Sequence, residues 1–314
     1  MADCCAHGTR RAGAWRPARR ARDPTAAKAS VVSSTSGASE PARARPKPSV
    51  SALTLVINLE RRPDRIAALH KLKLGFAWER LDAVDGRALS WDALGAGGSS
   101  PYAGLVQADA IREAAWAAQH NMPTICRRTG SFSPHLTLGA VGVALSQRKA
   151  WQKLLECADG GPQHALIMED DIATIAPDFS AQLARLLKAL PSTWHICFLG
   201  YHESTGRLLP ASRPPRPMEL PNGTCVTGLY AYLVHRRGAR ALLASGGLFP
   251  LRHQIDVAAS QFAWPRAARF ALDPEGVLMT SPKSEEGKCD TDIQTLGAPT
   301  ERAHASLPRT MLRL

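Results

Sequence analysis

The sequence predicts an α/β fold with a mainly parallel central sheet. Two observations carry that class: apolar runs too short for helices alternate with stretches of helical spacing, and the strand-like runs end abruptly in charge. The sharpest case is His164-Ala165-Leu166-Ile167-Met168-Glu169-Asp170-Asp171, preceded by Gly160-Gly161-Pro162 and closed by three acids. In an open α/β sheet the carboxyl ends of the strands face the ligand crevice, so acids there stand where a metal or charged ligand binds. Carboxylate oxygens suit hard divalent ions such as Mg2+ or Mn2+, which can neutralise a diphosphate at the same time. A solvated turn after a strand has the same look, so the rest of the chain must weigh on the choice.

The globular part starts near Ser51. Leu53-Thr54-Leu55-Val56-Ile57-Asn58-Leu59 reads as a buried strand. The Arg-rich turn Glu60-Arg61-Arg62-Pro63-Asp64-Arg65 follows, with proline at a helix start, so cations and the Asn58 amide reach the same kind of sheet edge as the acids. Ile66, Leu69 and Leu72 recur at helical spacing, and Phe76 to Val84 reads as a second strand region closed by Asp85-Gly86. Residues 87–136 are expected to be an insertion over the crevice, with a loop from Gly95 to Pro101 and an alanine-rich helix from Ala108 to Gln119. Val143, Ala144, Gln147, Ala150, Trp151, Leu154 and Leu155 fit one helix within Gly139 to Cys157, running into the acid-tipped strand. A helix from Phe179 to Leu190, a strand from Trp194 to Gly200 and a loop from Tyr201 to Pro221 follow, the loop's arginines expected to face water. Next come a strand from Val226 to Val234 and a helix from Arg236 to Leu243 ending at Gly246-Gly247. His253-Gln254-Ile255-Asp256 then embeds an acid among apolar residues.

Charge is spread unevenly. The net charge is +12, and residues 1–50 hold ten Arg or Lys against three acids, so +7 lies there and +5 in the rest. With few large apolar residues, residues 1–50 are expected to be a disordered basic tail, and their acid-poor, Arg-, Ala- and Ser-rich composition fits an organellar transit peptide equally well. Residues 51–300 form the expected globular domain and 301–314 a C-terminal tail. No run reaches the roughly 18 apolar residues of a membrane span, and the N-terminus lacks the apolar core of a secretory signal. No aromatic interleaving or zinc spacing favours specific nucleic-acid binding. Seven cysteines without a Cys-x-x-Cys pair read as reduced, packed thiols, and Asn222-Gly223-Thr224 is formally a glycosylation acceptor.

In this order the features resemble glycosyltransferase family 25, which includes lipooligosaccharide and procollagen galactosyltransferases. The resemblance rests on Val56-Ile57-Asn58-Leu59 with Arg61-Arg62-Pro63-Asp64-Arg65, on Ala83-Val84-Asp85-Gly86, and on Gly139-x-x-Gly142 with Ser146 and Trp151. It continues through Leu166 to Asp171, Thr227-Gly228-x-Tyr230-Ala231-Tyr232 with Gly238-Ala239, and Ile255-Asp256. It implies a GT-A type nucleotide-sugar-binding fold and transfer of a hexose, galactose or glucose, from a UDP-sugar to a glycan, lipid-linked or protein hydroxyl, with inversion. Under it, Asp171 and Glu169 would hold Mn2+ or Mg2+, which stabilises the departing diphosphate as a Lewis acid. Asn58, Arg61, Arg65 and Glu169 would lie toward the nucleotide. Asp256 would be the base, with Asp170 also at the catalytic centre and Asp290 and Asp292 as further candidates. A packing or capping role for Asp256 is an equal alternative, and the arginines of the turn have Asp64 and Glu60 as alternative partners.

The family pattern Gly-Glu-x-Gly-Cys-x-x-Ser-His is Gly139-Ala140-Val141-Gly142-Val143-Ala144-Leu145-Ser146-Gln147 in this chain. Gln147 can hydrogen-bond but cannot act as a charged base, and Ala140 removes a carboxylate. A second reading is therefore a weak or inactive nucleotide- or glycan-binding module. A third is another metal-dependent enzyme acting on nucleotides, and the absence of a Gly-x-x-x-x-Gly-Lys-Ser/Thr loop counts against a P-loop form of it.

Overall fold

The computed structural model describes residues 53–281 except 73, 121, 123–134, 205–206 and 209–214. Strand β1 (Leu53–Asn58) leads through the Arg-rich turn into helix α1 (Pro63–Lys71), where proline occupies the first helical turn, whose N–H groups have no intrahelical acceptor to lose. Strand β2 (Glu79–Asp82) is shorter than the 76–84 segment that its composition predicts, and Asp85 caps a 3-10 turn at Gly86–Ala88. The insertion contributes α2 (Trp91–Leu94) and α3 (Ala108–Gln119). Helix α4 (Leu138–Glu156), capped by the Thr137 side chain on Ala140 N, runs into β3 (His164–Glu169). The chain continues through β4 (Thr174–Ile175), α5 (Phe179–Ala189) and β5 (Ile196–Gly200).

Two parts of the C-terminal half differ from expectation. The supposed loop from 201 to 221 contains short strands β6 (Glu203–Ser204), β7 (Arg207–Leu208) and β8 (Pro217–Glu219), too brief to register as periodic sequence. Its Arg216 pairs with Asp273 rather than facing only water. The single strand expected from 226 to 234 is broken into β9 (Val226–Thr227) and β10 (Ala231–His235). Gly228 breaks it, at φ 84°, where a Cβ would meet the His202 ring at 2.7 Å and the Tyr230 ring at 3.1 Å. Helices α6 (Arg236–Leu243) and α7 (Ile255–Gln261) and strands β11 (Arg269–Leu272) and β12 (Met279–Thr280) follow.

The main sheet has eight strands in the order β2-β1-β3-β10-β5-β11-β8-β7. β1 pairs in parallel with both β2 and β3, and β11 with β5, whereas β10 and β8 run against their neighbours. Six strands therefore point one way and two the other, which is the mixed, mainly parallel α/β sheet that the sequence predicts. Residues alternate between its faces. Leu55, Ile57, Ala165, Ile167, Tyr232 and Val234 join Trp151 and Leu154 of α4, with residues of α6 and α7, in one core. Val56, Leu166, Met168, Leu233 and Leu199 join Leu69 of α1 and Phe179, Leu183 and Leu186 of α5 in the other. Burial on both faces explains why these strands read as unbroken apolar runs.

Candidate active site

The parallel strands β1 and β3 end together, with Ile57 opposite Glu169, so the Arg-rich turn and the acid triplet leave the sheet side by side. Asp170 is the hub. Its Oδ2 accepts from Asn58 Nδ2 at 2.6 Å and its Oδ1 from Arg65 Nη1 at 2.8 Å. Asn58 also donates to the Arg62 carbonyl at 3.0 Å and accepts from Arg80 Nε at 2.8 Å. Burial opposes the Arg65 charge, but the hydrogen bond and attraction of Asp170, backed by Asp171, outweigh it and raise the Arg65 pKa. Asp170, expected at the catalytic centre, thus has both oxygens engaged and ties β3 to β1 and α1. Asn58 and Arg65, expected to face a nucleotide, both donate to it. Arg61 instead pairs with Asp85, Nε to Oδ2 at 2.7 Å, and Arg62 with Asp64 at 2.8 Å.

The other three acids share one electrostatic field. Burial, then the negative charges of Asp171, Asp170 and Asp256, push the Glu169 carboxyl well above the usual carboxylate range, and Arg65 only partly offsets them. Burial also raises Asp171 against the pull of Arg65 and a hydrogen bond from Ser281, and its Oδ1 is buried with no hydrogen-bond partner among the described residues. Ser281 arrives because β12 clips onto β4 just beyond the triplet, with Ala173 N bonded to the Thr280 carbonyl at 2.8 Å. Asp256 stands in the first turn of α7. Burial raises its pKa against hydrogen bonds from Val257 N at 2.8 Å and Gly228 N at 3.4 Å. The glycine that breaks the strand thus delivers a backbone N–H to this acid.

The donor set bears on a divalent cation. Buried carboxylates that raise one another's pKa, one with an orphaned oxygen, are held at an electrostatic cost that a cation relieves. Among the described residues no group of three or more His, Cys, Asp or Glu side chains forms a metal cage. Sites of the Mg2+ type, however, use one or two carboxylates completed by substrate phosphates and water. The residues therefore fit a cation shared with a diphosphate, and do not fit one enclosed by protein alone.

An open cavity of about 310 Å3 lies at the ends of β1 and β2, lined by Leu59, Glu60, Arg61, Ala83 and Asp85. It takes in Arg61, while the acids gather on the other side of β1, at the end of β3. Several motif residues prove to be packing devices. Gly142 passes so close to the 83–86 turn that a Cβ would meet the Val84 carbonyl at 2.6 Å, and Ser146 Oγ accepts from Val84 N at 2.8 Å. Sequence reasoning gave no site role to Arg80 or Ser281, and none beyond a helix, strand or motif position to Trp151 and Tyr232. Tyr232 and Trp151 stand in quoted motifs, but only the packing of α4 against β10 reveals that they are hydrogen-bonded to each other, at 2.9 Å. The Asn222 amide of the glycosylation sequence is committed on both sides to the Trp264 backbone, at 2.9 and 3.1 Å. Asp290 and Asp292 lie outside the described residues.

Residues 52–205 match the model of glycosyltransferase family 25, described as an LPS biosynthesis protein. This segment belongs to glycosyltransferase family 25. The family 25 match contains the Arg-rich turn, the packed glycines and the acid triplet, and it assigns glycosyl transfer, between a sugar donor and an acceptor, as the class of activity. It stops before β10 and α7, so Asp256 lies beyond it. No curated protein matches the chain. No helix among its described residues is long and apolar enough to cross a membrane.

Proposed function

We propose that this glycosyltransferase moves a hexose, galactose or glucose, from a UDP-sugar to a hydroxyl of a glycan, lipid-linked sugar or protein side chain, with inversion. The observation that carries the reading is the convergence of Glu169, Asp171 and Asp256 with Arg65 at the carboxyl ends of parallel strands. Asp171, through its unsatisfied Oδ1, and Glu169 would hold Mn2+ or Mg2+. When bound, the cation supplies Lewis-acid neutralisation of the charge developing on the departing diphosphate. The cavity beside Arg61 takes the nucleoside, and at about 310 Å3 it is at the small end of ligand pockets. Asp256 accepts the proton of the acceptor hydroxyl as its oxygen attacks the anomeric carbon and the bond to the diphosphate breaks. Burial raises the pKa of Asp256, which makes its carboxylate a stronger base than an exposed one. Arg65 and Asn58 keep the triplet in place through Asp170.

The test is UDP release from individual UDP-sugars with Mn2+, with and without acceptors. Turnover should vanish on chelation and fall by about a hundredfold or more in Asp171→Ala, in line with the loss of a charge-stabilising group. Nucleotide binding without turnover for any donor would support the inactive binding module, favoured by Gln147 and Ala140. Cleavage of nucleotides without sugar transfer would support a nucleotide hydrolase.

A further inference from the structure

Behind Glu169 runs a chain of hydrogen bonds whose direction is dictated by one residue. The indole Nε1–H of Trp151 can only donate, and it meets Tyr232 Oη at 2.9 Å. Tyr232 therefore turns its own hydrogen to Gln147 Oε1, at 2.5 Å. With Oε1 committed, Gln147 Nε2 faces Glu169 Oε1 at 3.4 Å and the Leu229 carbonyl at 3.5 Å, and a carbonyl can only accept. The opposite amide orientation would set the Gln147 oxygen against a carboxylate and a carbonyl and leave the Tyr232 hydrogen without an acceptor. All three relay side chains are fully buried, so water does not compete for these bonds.

We propose that Trp151 is a positioning residue for the donor site: its indole N–H, acting through Tyr232 and Gln147, keeps an amide N–H aimed at Glu169 and so holds that carboxylate as an oxygen acceptor open to a divalent cation. The inference rests on the reading in which Glu169 helps hold the cation. It also gives the glutamine a definite use. What position 147 needs is a side chain that accepts at one end and donates at the other, and neutral histidine is the other residue that does so.

The experiment uses the full chain. Mn2+ binding with UDP present, against a UDP-only blank, is followed by the electron paramagnetic resonance of the free ion, and the Gln147 side-chain amide by 15N–1H NMR, in native protein, Trp151→Phe, Tyr232→Phe and the double variant. Each single change should displace the Gln147 amide signals and weaken Mn2+ binding about tenfold or more, the range for groups that orient a ligand from behind. The double variant should be no worse than Tyr232→Phe alone, because the two act in series. Gln147→His should recover much of the binding that Gln147→Leu loses. If Trp151→Phe fails to fold, Tyr232→Phe, which preserves the ring, carries the comparison. Native Mn2+ affinity with unmoved Gln147 signals in a folded variant overturns the relay and leaves the donor site standing, as do losses that multiply in the double variant. Native protein that binds no Mn2+ beyond the UDP-only blank removes the donor-site reading and this role together.

Discussion

Asp170 illustrates how far a motif can be read at the level of single residues. Three consecutive acids announce a charged strand end, but their division of labour depends on where each side chain points. The middle one turns to Asn58 and Arg65 and becomes an anchor, and the flanking two stay short of partners and repel each other. With only 8% of the Asp170 side chain and 17% of that of Arg65 exposed, Asp170→Ala leaves a desolvated cation, and urea unfolding should register a loss of about 3 kcal/mol or more. A change of less than about 1 kcal/mol, the worth of an exposed pair, would contradict the anchoring role. Glu169 should behave in the opposite sense. Its folded-state pKa is raised, so the folded chain binds more protons than the unfolded one just above the ordinary carboxylate range. The stability it contributes is complete below the unfolded pKa and is lost as pH rises through the raised one. Without divalent ion, Glu169→Gln should therefore melt above the native protein at pH 7, and the gap should close near pH 4. A lower melting temperature at pH 7 would show that the charge is not a burden. Gln147, which stands where the family pattern has histidine, is buried and bonded to Tyr232 and Glu169, so the substitution preserves hydrogen-bond polarity while removing the ability to carry charge.

At the scale of elements, α4 is placed by small residues. The Gly142 approach to the Val84 carbonyl fixes the helix against the 83–86 turn, and Gly142→Ala should destabilise the protein by about 1–3 kcal/mol although alanine is the better helix former. Thermal melting that showed stabilisation would mean that the turn gives way easily. The end of the sheet remote from the acids carries another test. His235, the N-cap of α6, packs edge-on against Trp194, which His164 also contacts, and accepts hydrogen bonds from Arg237 N and Nε. Burial, then the charge of Arg237, with further contributions from His164, His195 and Arg240, lowers its pKa to about 4. A depressed histidine contributes stability above its unfolded pKa of 6.5 that is lost as pH falls toward 4. His235→Asn keeps a capping side chain and should reduce that acid-induced loss by about 1–2 kcal/mol, once the shift is discounted for a half-exposed group. Identical pH profiles for variant and native protein would contradict this.

For the molecule as a whole, the donor reading predicts a linkage rather than a sum. If the diphosphate completes the cation's coordination, UDP and Mn2+ together should raise the melting temperature by more than their separate effects add up to. At a hundredfold excess over the dissociation constant the gain is about 2.7 kcal/mol. Equal shifts by UDP with and without Mn2+ would separate nucleotide from metal. The sequence by itself determined the layered α/β class, the order of most elements, the acid-tipped strand and the family, because two-sided burial writes long apolar runs and because motif order survives without knowledge of contacts. Strands β6 to β8 escaped it, since two or three residues carry no period, and so did the break at Gly228, since a left-handed glycine inside an apolar run looks like any other glycine. Only the tertiary structure decided which acid is paired with a cation and which are left without one, that Arg61 looks to Asp85 while Arg65 looks to Asp170, and that Trp151 reaches Glu169 through two intermediaries. Those are choices between partners far apart in the chain, and the energies that settle them, desolvation and hydrogen-bond direction, exist only once the strands and helices have closed around the groups concerned.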